Sequence, residues 1–270
     1  WKVSPSMAKY DTTRYTNGLN KKGEESDGTF THEFSDTLKT YTVYCMAFAS
    51  GYSTLSAVGY TTVVEGGKDG SIKGIDFPSE SFSTTDGTYY YKTIGTQTWM
   101  VNNVCETAKG APFRNAEAMS DVFGRYYKYD EAVEVCEALE GGKWELPSKD
   151  DWEILEGYIK SDIIDDNTKS VAAALMADAT FNGTEMWEFW PEVGEITNAS
   201  GFSAIPAGYA NLDAKDFTGA YEYSVFWTAT ENPSDSNQAY CRYIFCDQPD
   251  TFCGSADKKS FGASVRCIKK

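Results

Sequence analysis

Hydrophobic and polar residues alternate with a period of two along "THEFSDTLKTYTVYCMAFASGYSTLSAVGYTTVV", residues 31–64. From Tyr41 to Ala47, every second side chain falls on one face of an extended chain. Ser50-Gly51 is a turn signal between two such stretches. The pattern predicts antiparallel strands, and it places Cys45 as a buried free thiol without a base nearby.

A Gly-rich, charged stretch without periodicity follows at 65–74, "EGGKDGSIKG". Its composition is typical of a linker. A chain of 270 residues is long enough for two domains. We therefore predict an all-β unit over residues 1–66, a linker over 67–81 and a second unit over 82–270.

The second unit begins with a hairpin signal and continues with a helical one. "GTYYYKTIGTQTWMVNNV" (87–104) has alternating aromatic residues on both sides of Gly95. "YDEAVEVCEALEGG" (129–142) has the spacing of a helix that ends at Gly141. The apolar face predicted for this helix consists of Ala132, Val133, Cys136 and Leu139.

The acid-rich stretch "KWELPSKDDWEIL" (143–155) invites a catalytic interpretation, but its spacing favours a structural one. Ser148 is a good N-cap, and Asp151 stands where the second half of a capping box belongs. Acids in a first helical turn also complement the helix dipole. The buried stripe predicted for this helix comprises Trp152, Leu155, Ile159 and Ile163.

A second, Ala-rich helix is predicted over 167–181, capped by Asn167 or Thr168. After Pro191 the pattern returns to short strands. These strands lie in "GFSAIPAGYAN", "YSVFWTATE", "QAYCRYIF" and "FGASVRCIKK".

Charge excludes several classes of partner. The chain has 24 basic and 40 acidic residues, a formal net charge of −16. This argues against nucleic acid and against docking on anionic lipid. No apolar run approaches the length of a membrane span. Because the chain starts at Trp1 and not at Met, we expect a processed or truncated piece, and a secreted origin stays open.

Residue types also limit the chemistry. None of the seven cysteines forms a CxxC pair, so a structural zinc site is not expected. The single histidine, His32, lies in the first unit, which leaves no credible Ser/His/Asp set. No phosphate-binding loop or GxGxxG motif is present. The sequence therefore predicts a protein that is not an enzyme, without a cofactor.

Seven motifs occur together in the second unit: "TIGTQTWMVNNV", "GRYYKYDEAVEVC", "WELPSKDDWEIL", "GFSAIPAGYAN", "FWTATE", "AYCRYI" and "GASVRCIKK". Their order over residues 82–270 resembles the Fibrobacter succinogenes major paralogous domain family. The cap and the "SVRC" ending are also similar to those of the formylglycine-generating domain, which has a C-type-lectin-like fold. The resemblance implies an α+β C-type-lectin-like C-terminal domain whose ends meet in one sheet.

The lectin-like pattern would join the first helix to the last strand, which implies a Cys136–Cys267 disulfide. Cys246 and Cys253, seven residues apart across an expected hairpin, form a candidate second pair, and Cys241–Cys253 is the competing choice. In the first unit, "HEFSDTLKTYTVYCMAFASGY" resembles PKD and related Ig-like sandwich modules of bacterial surface proteins. The stretch ahead of it is short for a complete sandwich.

Loops on a rigid sheet are where recognition tends to lie. The candidate ligand-binding residues, chosen as aromatic platforms beside carboxylates and amides, are Asp213, Asp216, Tyr221, Tyr223, Glu231, Asn232, Trp187 and Trp190. The alternative is that the loops are merely solvated and that the Trp residues belong to the core. Asp and Asn oxygens could hold Ca²⁺, but no EF-hand loop or lectin triad supports this.

Together these observations predict a non-catalytic recognition or adhesion protein that binds a glycan or a surface protein. The family resemblance implies a bacterial protein that is extracellular or anchored at the outer-membrane surface. Two alternatives stay open. One is a structural component of a surface assembly without a small ligand. The other is an enzyme like the formylglycine-generating ones, which would require two cysteines beside a cleft.

Overall fold

The structure, a computed structural model, describes residues 2–4, 40–47, 56–64, 72–115, 117–181 and 184–270. The chain divides into two units, Trp1–Ser71 and Ile72–Lys270. In the first unit the description covers the backbone of the strands. The predictions about His32, the Ser50-Gly51 turn and the burial of Cys45 lie outside what is described.

The first unit contains one antiparallel sheet of three strands in the order β1-β2-β3. These are β1 (Lys2–Ser4), β2 (Thr40–Ala47) and β3 (Ser56–Val64). Tyr41 pairs with Val63, and the register shifts between Cys45 and Met46. The strands predicted from the period-two alternation are therefore present.

The second unit is a mixed α/β structure made mostly of small antiparallel sheets. Its strands are β4 (Ile72–Lys73), β5 (Ser81–Ser83), β6 (Thr88–Ile94), β7 (Gln97–Met100), β8 (Ala111–Pro112), β9 (Arg125–Tyr126), β10 (Trp144–Glu145), β11 (Thr180–Phe181), β12 (Thr184–Glu185), β13 (Tyr209–Asn211), β14 (Asp216–Thr218), β15 (Tyr223–Glu231), β16 (Gln238–Phe245), β17 (Phe252–Asp257), β18 (Phe261–Gly262) and β19 (Ile268–Lys269).

The largest sheet has the order β10-β19-β7-β6-β5, so strands from the start and the end of this unit meet in it. The predicted hairpin at Gly95 forms its β6–β7 pair. Two sheets of three strands follow later in the chain, β15-β16-β17 and β14-β13-β18. Two small sheets, β12-β11-β4 and β8-β9, complete the unit.

The helices are short. They are α1 (Ser120–Phe123), α2 (Tyr129–Ala138), α3 (Lys149–Tyr158), which continues into a π-helical turn (Ile159–Ile163), and α4 (Val171–Leu175). None of the helices in the described residues is long and apolar enough to cross a membrane.

Helix α3 confirms the structural interpretation of the acid-rich stretch. The backbone N–H of Asp151 donates to Ser148 Oγ at 3.1 Å, and the N–H of Ser148 donates to Asp151 Oδ2 at 2.8 Å. Each side chain thus satisfies a backbone donor that the first turn leaves free. Trp152, Leu155 and Ile159 are fully buried, as their spacing predicts.

Two predictions about the helices need correction. Helix α2 buries Ala132, Val135 and Cys136, whereas Val133 is only half-buried. Helix α4 is five residues long, and its cap is Ser170, whose Oγ accepts from Ala173. The predicted cap residues Asn167 and Thr168 donate instead to Asp165. The helix ends early because Met176 pairs with Ala204 in a β-bridge.

Aromatic side chains form the centre of two buried clusters. One surrounds Trp144 and Trp227, and the other surrounds Trp99 and Trp152. Trp152 contacts Trp99, Phe202 and Phe226, with ring centroids 5.1 to 5.5 Å apart. The contacts with Trp99 and Phe202 are edge-to-face, and such contacts stabilise a core beyond the area that they bury. Phe226 and Trp227 are thus core residues, as predicted.

The disulfide that the resemblance implies is present, and neither candidate for a second pair is formed. Cys136 and Cys267 are bridged. Cys246 and Cys253 are free thiols, as is Cys241. Cys253 lies opposite Arg242 in the β16–β17 pair. Cys246 is four positions further along the chain than Arg242, directly after the end of β16. Four strand residues span about 13 Å, too far for a bridge. Cys241 pairs with Gly254, so its side chain points to the opposite face from that of Cys253.

Candidate functional site

Six aromatic rings form a continuous row on one face of β15–β16–β17 and the adjoining β13 and β18. We call this row the aromatic strip. In spatial order it consists of Phe252, Tyr243, Phe245, Tyr223, Tyr209 and Phe261. The centroids of successive rings are 6.0, 5.8, 5.6, 5.9 and 4.9 Å apart.

The pairing of the strands explains why these rings meet. Tyr243 and Phe245 are two positions apart on β16, so they share a face. Tyr243 lies directly opposite Phe252 on β17, and Phe245 lies directly opposite Tyr223 on β15. Cross-strand aromatic neighbours are close enough for their rings to touch. Tyr209 continues the row onto β13.

One side of the strip is fixed by the core. Tyr209, Tyr223, Tyr243 and Phe261 pack on the buried cluster around Trp227. All four keep part of their surface in solvent, and Phe252 at the far end is 57% exposed. The core therefore holds the rings in place while each keeps some surface in solvent, and fixed rings lower the entropic cost of binding.

A glycine gives two rings of the strip their position. A Cβ added to Gly254 on β17 would lie 2.9 Å from Cε2 of Tyr243 and 3.2 Å from Cε1 of Phe252. A side chain at this position would push against both rings. Gly254 therefore lets the two rings lie low over the strand.

The strip is neutral at ordinary pH. Burial and the neighbouring Tyr209 raise the pKa of Tyr223 to about 12, and burial also raises the pKa of Tyr243. Both hydroxyl groups therefore stay protonated and can donate or accept hydrogen bonds. No basic side chain of the described residues lies over any of the six rings. The strip offers partly exposed aromatic rings, several of them stacked on their neighbours, together with the uncharged hydroxyl groups of the tyrosines.

The structure brings one of the eight sequence-predicted site residues into the strip, Tyr223. Tyr221 lies elsewhere, with its ring 6.0 Å from that of Phe123 and a left-handed φ of 72°. Asn232 lies in the turn after β15, where its Oδ1 accepts from the N–H of Ser234 at 3.0 Å. Neither residue forms a ring contact or hydrogen bond with the strip among the described contacts.

The predicted acidic residues do not converge either. Asp213 pairs with Lys128 at 2.9 Å, and Glu231 pairs with Lys258 at 2.9 Å. Asp216 is exposed on β14. Across the residues that the structure describes, no group of three or more His, Cys, Asp or Glu side chains is arranged to hold a metal ion. The two lysines pair with two of the three carboxylates that the calcium hypothesis would use.

The aromatic segment at 186–194 divides between core and surface. Trp187 is buried, and its Nε1 donates to the carbonyl of Ala204 at 2.9 Å. The prediction that Trp187 is a binding platform is therefore wrong, because its side chain belongs to the core. Phe189 and Trp190 are exposed, at 57% and 38%. Two exposed rings remain there, outside the strip.

The enzyme alternative requires reactive cysteines, and three free thiols lie near the C-terminus. Burial raises the pKa of Cys241, Cys246 and Cys253 alike. Since the thiolate is the nucleophile and the metal ligand, burial of this kind favours the unreactive form.

Five residues of the strip escaped the sequence reasoning: Tyr209, Tyr243, Phe245, Phe252 and Phe261. The signal that could have found two of them is the spacing in "QAYCRYIF", where Tyr243 and Phe245 occupy alternate positions. Tyr209 and Phe261 require the pairing of strands that are well separated along the chain, whereas Phe252 requires the register of the neighbouring pair β16–β17.

Comparison with known proteins agrees with the motif order. No curated protein and no solved structure shows a significant match to the chain. The family model described as the Fibrobacter succinogenes major domain matches residues 93–269, well over half of the chain. The motifs around the β6–β7 hairpin, the α3 cap and the C-terminal "SVRC" all fall inside this range. The chain therefore belongs to the Fibrobacter succinogenes major domain family.

Proposed function

We propose that the second unit is a non-catalytic recognition module that binds neutral glycan chains through the aromatic strip. The observation that carries the proposal is the row of six rings at successive centroid distances of 4.9 to 6.0 Å. The C–H faces of sugar rings stack on aromatic faces, and their hydroxyls bond to neutral polar groups.

The shape of the strip favours a chain over a single sugar. Successive ring centroids lie 4.9 to 6.0 Å apart, so a chain of several sugar rings can contact more than one ring of the strip. A row that crosses β17, β16, β15 and β13 therefore offers several stacking positions along one direction. Binding at several weak positions on one chain raises the overall affinity without any single strong contact.

Charge favours a neutral chain. The net charge of −16 disfavours polyanions at long range. Close to the strip, Glu222 precedes Tyr223 and contributes to raising its pKa, so a carboxylate lies beside the row. We therefore expect uncharged polysaccharides to bind better than uronate-rich or sulfated ones.

The finer features of fold and location belong to the same proposal. We infer that the second unit has a C-type-lectin-like topology, supported by the Cys136–Cys267 bridge and by its two ends in one sheet. We infer an Ig- or PKD-like spacer for the first unit, supported by its three-stranded sheet. A disulfide is typical of an oxidising compartment, which supports a location at the cell surface or outside the cell.

The experiment is affinity electrophoresis of the purified chain through gels that contain neutral or anionic polysaccharides, with calcium and with EDTA. We expect retardation by at least one neutral polymer and little by anionic polymers. We also expect EDTA to leave the retardation unchanged. Binding that EDTA abolishes would instead point to the carboxylates at Asp213, Asp216 and Glu231.

An assembly role without a glycan ligand is the second candidate. The exposed ring of Phe252 is the observation that favours an assembly role, because another protein can also cover an exposed apolar surface. Concentration-dependent self-association without any retardation by polysaccharides would support that role and contradict glycan binding.

A further inference from the structure

A cavity of about 210 Å³ opens between the β6–β7 hairpin, α1 and the loop at 203–205, away from the aromatic strip. Its apolar wall includes Val101, Val122 and Ile205. Arg266 and Asp121 supply the charged groups. The volume is below the range of drug-sized pockets and suits a small molecule.

Arg266 is the unusual group in this cavity. It is 1% exposed, yet all its described partners are neutral. Nε donates to Asn103 Oδ1 at 2.6 Å. Nη1 donates to the carbonyls of Phe202 at 2.7 Å and Met100 at 3.2 Å, and Nη2 donates to the carbonyl of Ser203 at 2.8 Å.

The positive charge of Arg266 is left without a counter-ion. No carboxylate within the described parts of the chain forms an ion pair with it. A guanidinium has five N–H donors, and these four bonds leave one donor on Nη2 without an acceptor among the described residues. Buried charges are normally paired, because removal from water disfavours the charged form. Consistent with this, burial lowers the pKa of Arg266 to about 9.

We propose that this cavity binds the carboxylate of a small organic acid with an apolar body. The carboxylate would accept from Arg266 and neutralise its charge. The apolar body would lie against Val101, Val122 and Ile205. Asp121, an exposed residue on α1 at the cavity, disfavours a second negative charge on the ligand. The site therefore selects monocarboxylates over dicarboxylates of similar size.

The test is isothermal titration calorimetry with 3-methylbutanoate as the probe, compared with its uncharged amide and with methylsuccinate. We expect the acid to bind at least tenfold more tightly than the amide, and the diacid to bind more weakly than the monoacid. If acid and amide bind equally, or if neither binds, Arg266 acts only as a cross-link between loops and the inference is wrong.

An exposed variant avoids the risk that a change at Arg266 unfolds the chain. Asp121→Asn removes the repelling charge. At low salt it should lower the dissociation constant of the monocarboxylate by roughly threefold, as expected for one screened charge pair. The matched control is Asp216→Asn, an exposed aspartate on β14 that does not line the cavity. An equal effect of both variants would indicate a net-charge effect and would overturn the assignment. Glycan binding by the strip is independent of either outcome.

Discussion

Cys136 in α2 and Cys267 before β19 are joined by a disulfide, with their Cα atoms 5.6 Å apart and 131 positions between them in the sequence. Both side chains are fully buried. The bridge connects the first long helix of the second unit to its last strand. All five strands that carry the strip lie within the closed loop.

Reduction of this bridge should destabilise the second unit strongly. Closing a loop of this length removes unfolded-state entropy worth about 4 to 5 kcal/mol in the chain-entropy model. Urea unfolding of the same chain with and without dithiothreitol measures the difference. The control is Cys136→Ser with Cys267→Ser, whose stability should not respond to the reductant. Equal unfolding midpoints for the oxidised and reduced wild-type chain would contradict the role given to the bridge.

The capping box of α3 supports a second prediction. Ser148→Ala removes an acceptor from the N–H of Asp151, and loss of an N-cap costs about 1 kcal/mol. Urea unfolding measures this. Ser79→Ala is the control, because Ser79 is exposed and its side chain bonds only to its neighbour Glu80. A loss at Ser148 no larger than at Ser79 would rule out a stabilising cap.

Glu156 on α3 predicts an unusual pH dependence. Its Oε1 lies 3.1 Å from Nε of Arg242, and Thr251 donates to the same oxygen. Burial nevertheless raises the pKa of Glu156, since it outweighs both of these favourable contacts. The folded state therefore holds this proton more tightly than the unfolded state, so the stability due to Glu156 falls as pH rises from about 4.5 through the raised pKa.

Urea unfolding of wild type and Glu156→Gln between about pH 4.5 and 7 tests this. The wild type should lose stability relative to the variant as pH rises. Glu153→Gln tests the opposite sign in a lower pH range: Lys149 at 2.8 Å lowers the pKa of exposed Glu153, so the wild type should lose stability relative to this variant as pH falls below about 4.5. A wild-type advantage over Glu156→Gln that grows with pH would mean that the ion pair with Arg242 dominates over burial.

Gly254 provides a test of the strip's geometry. Gly254→Ala places a methyl group against the rings of Tyr243 and Phe252. We therefore expect the polysaccharide in the gel to bind and retard this variant severalfold more weakly than the wild type. The control is Gly157→Ala in α3, where an added Cβ meets nothing within 4 Å. That variant should gain about 0.5 to 1 kcal/mol from helix propensity and bind normally. Unchanged retardation in Gly254→Ala would show that the ring positions do not matter.

Local signals in the sequence were sufficient for local structure. The Ser148–Asp151 cap and the hairpin at Gly95 depend on residues a few positions apart, and both formed as predicted. The Ala-rich helix was predicted too long because its end is set by a distant partner, Ala204. Tertiary pairing overrides helix propensity in such cases.

The candidate sites were harder to predict for the same reason. Tyr209 and Phe261 are far apart in sequence and stack because β13 pairs with β18. Likewise, Arg266 stands at the end of the chain, whereas Asn103 lies near the start of the second unit. Spacing within one segment carries no information about such pairs. The family resemblance did supply one long-range contact, the Cys136–Cys267 bridge.

The most direct test of glycan recognition compares two phenylalanines of equal exposure. Phe252 in the strip and Phe189 outside it are both 57% exposed, so neither substitution by alanine should disturb the core. In affinity electrophoresis with the neutral polysaccharide that retards the wild type most, Phe252→Ala should weaken binding about two- to tenfold, the size of one aromatic stacking contact. Phe189→Ala should bind as the wild type does. Equal binding by Phe252→Ala and the wild type, or an equal loss in both variants, would contradict recognition by the strip.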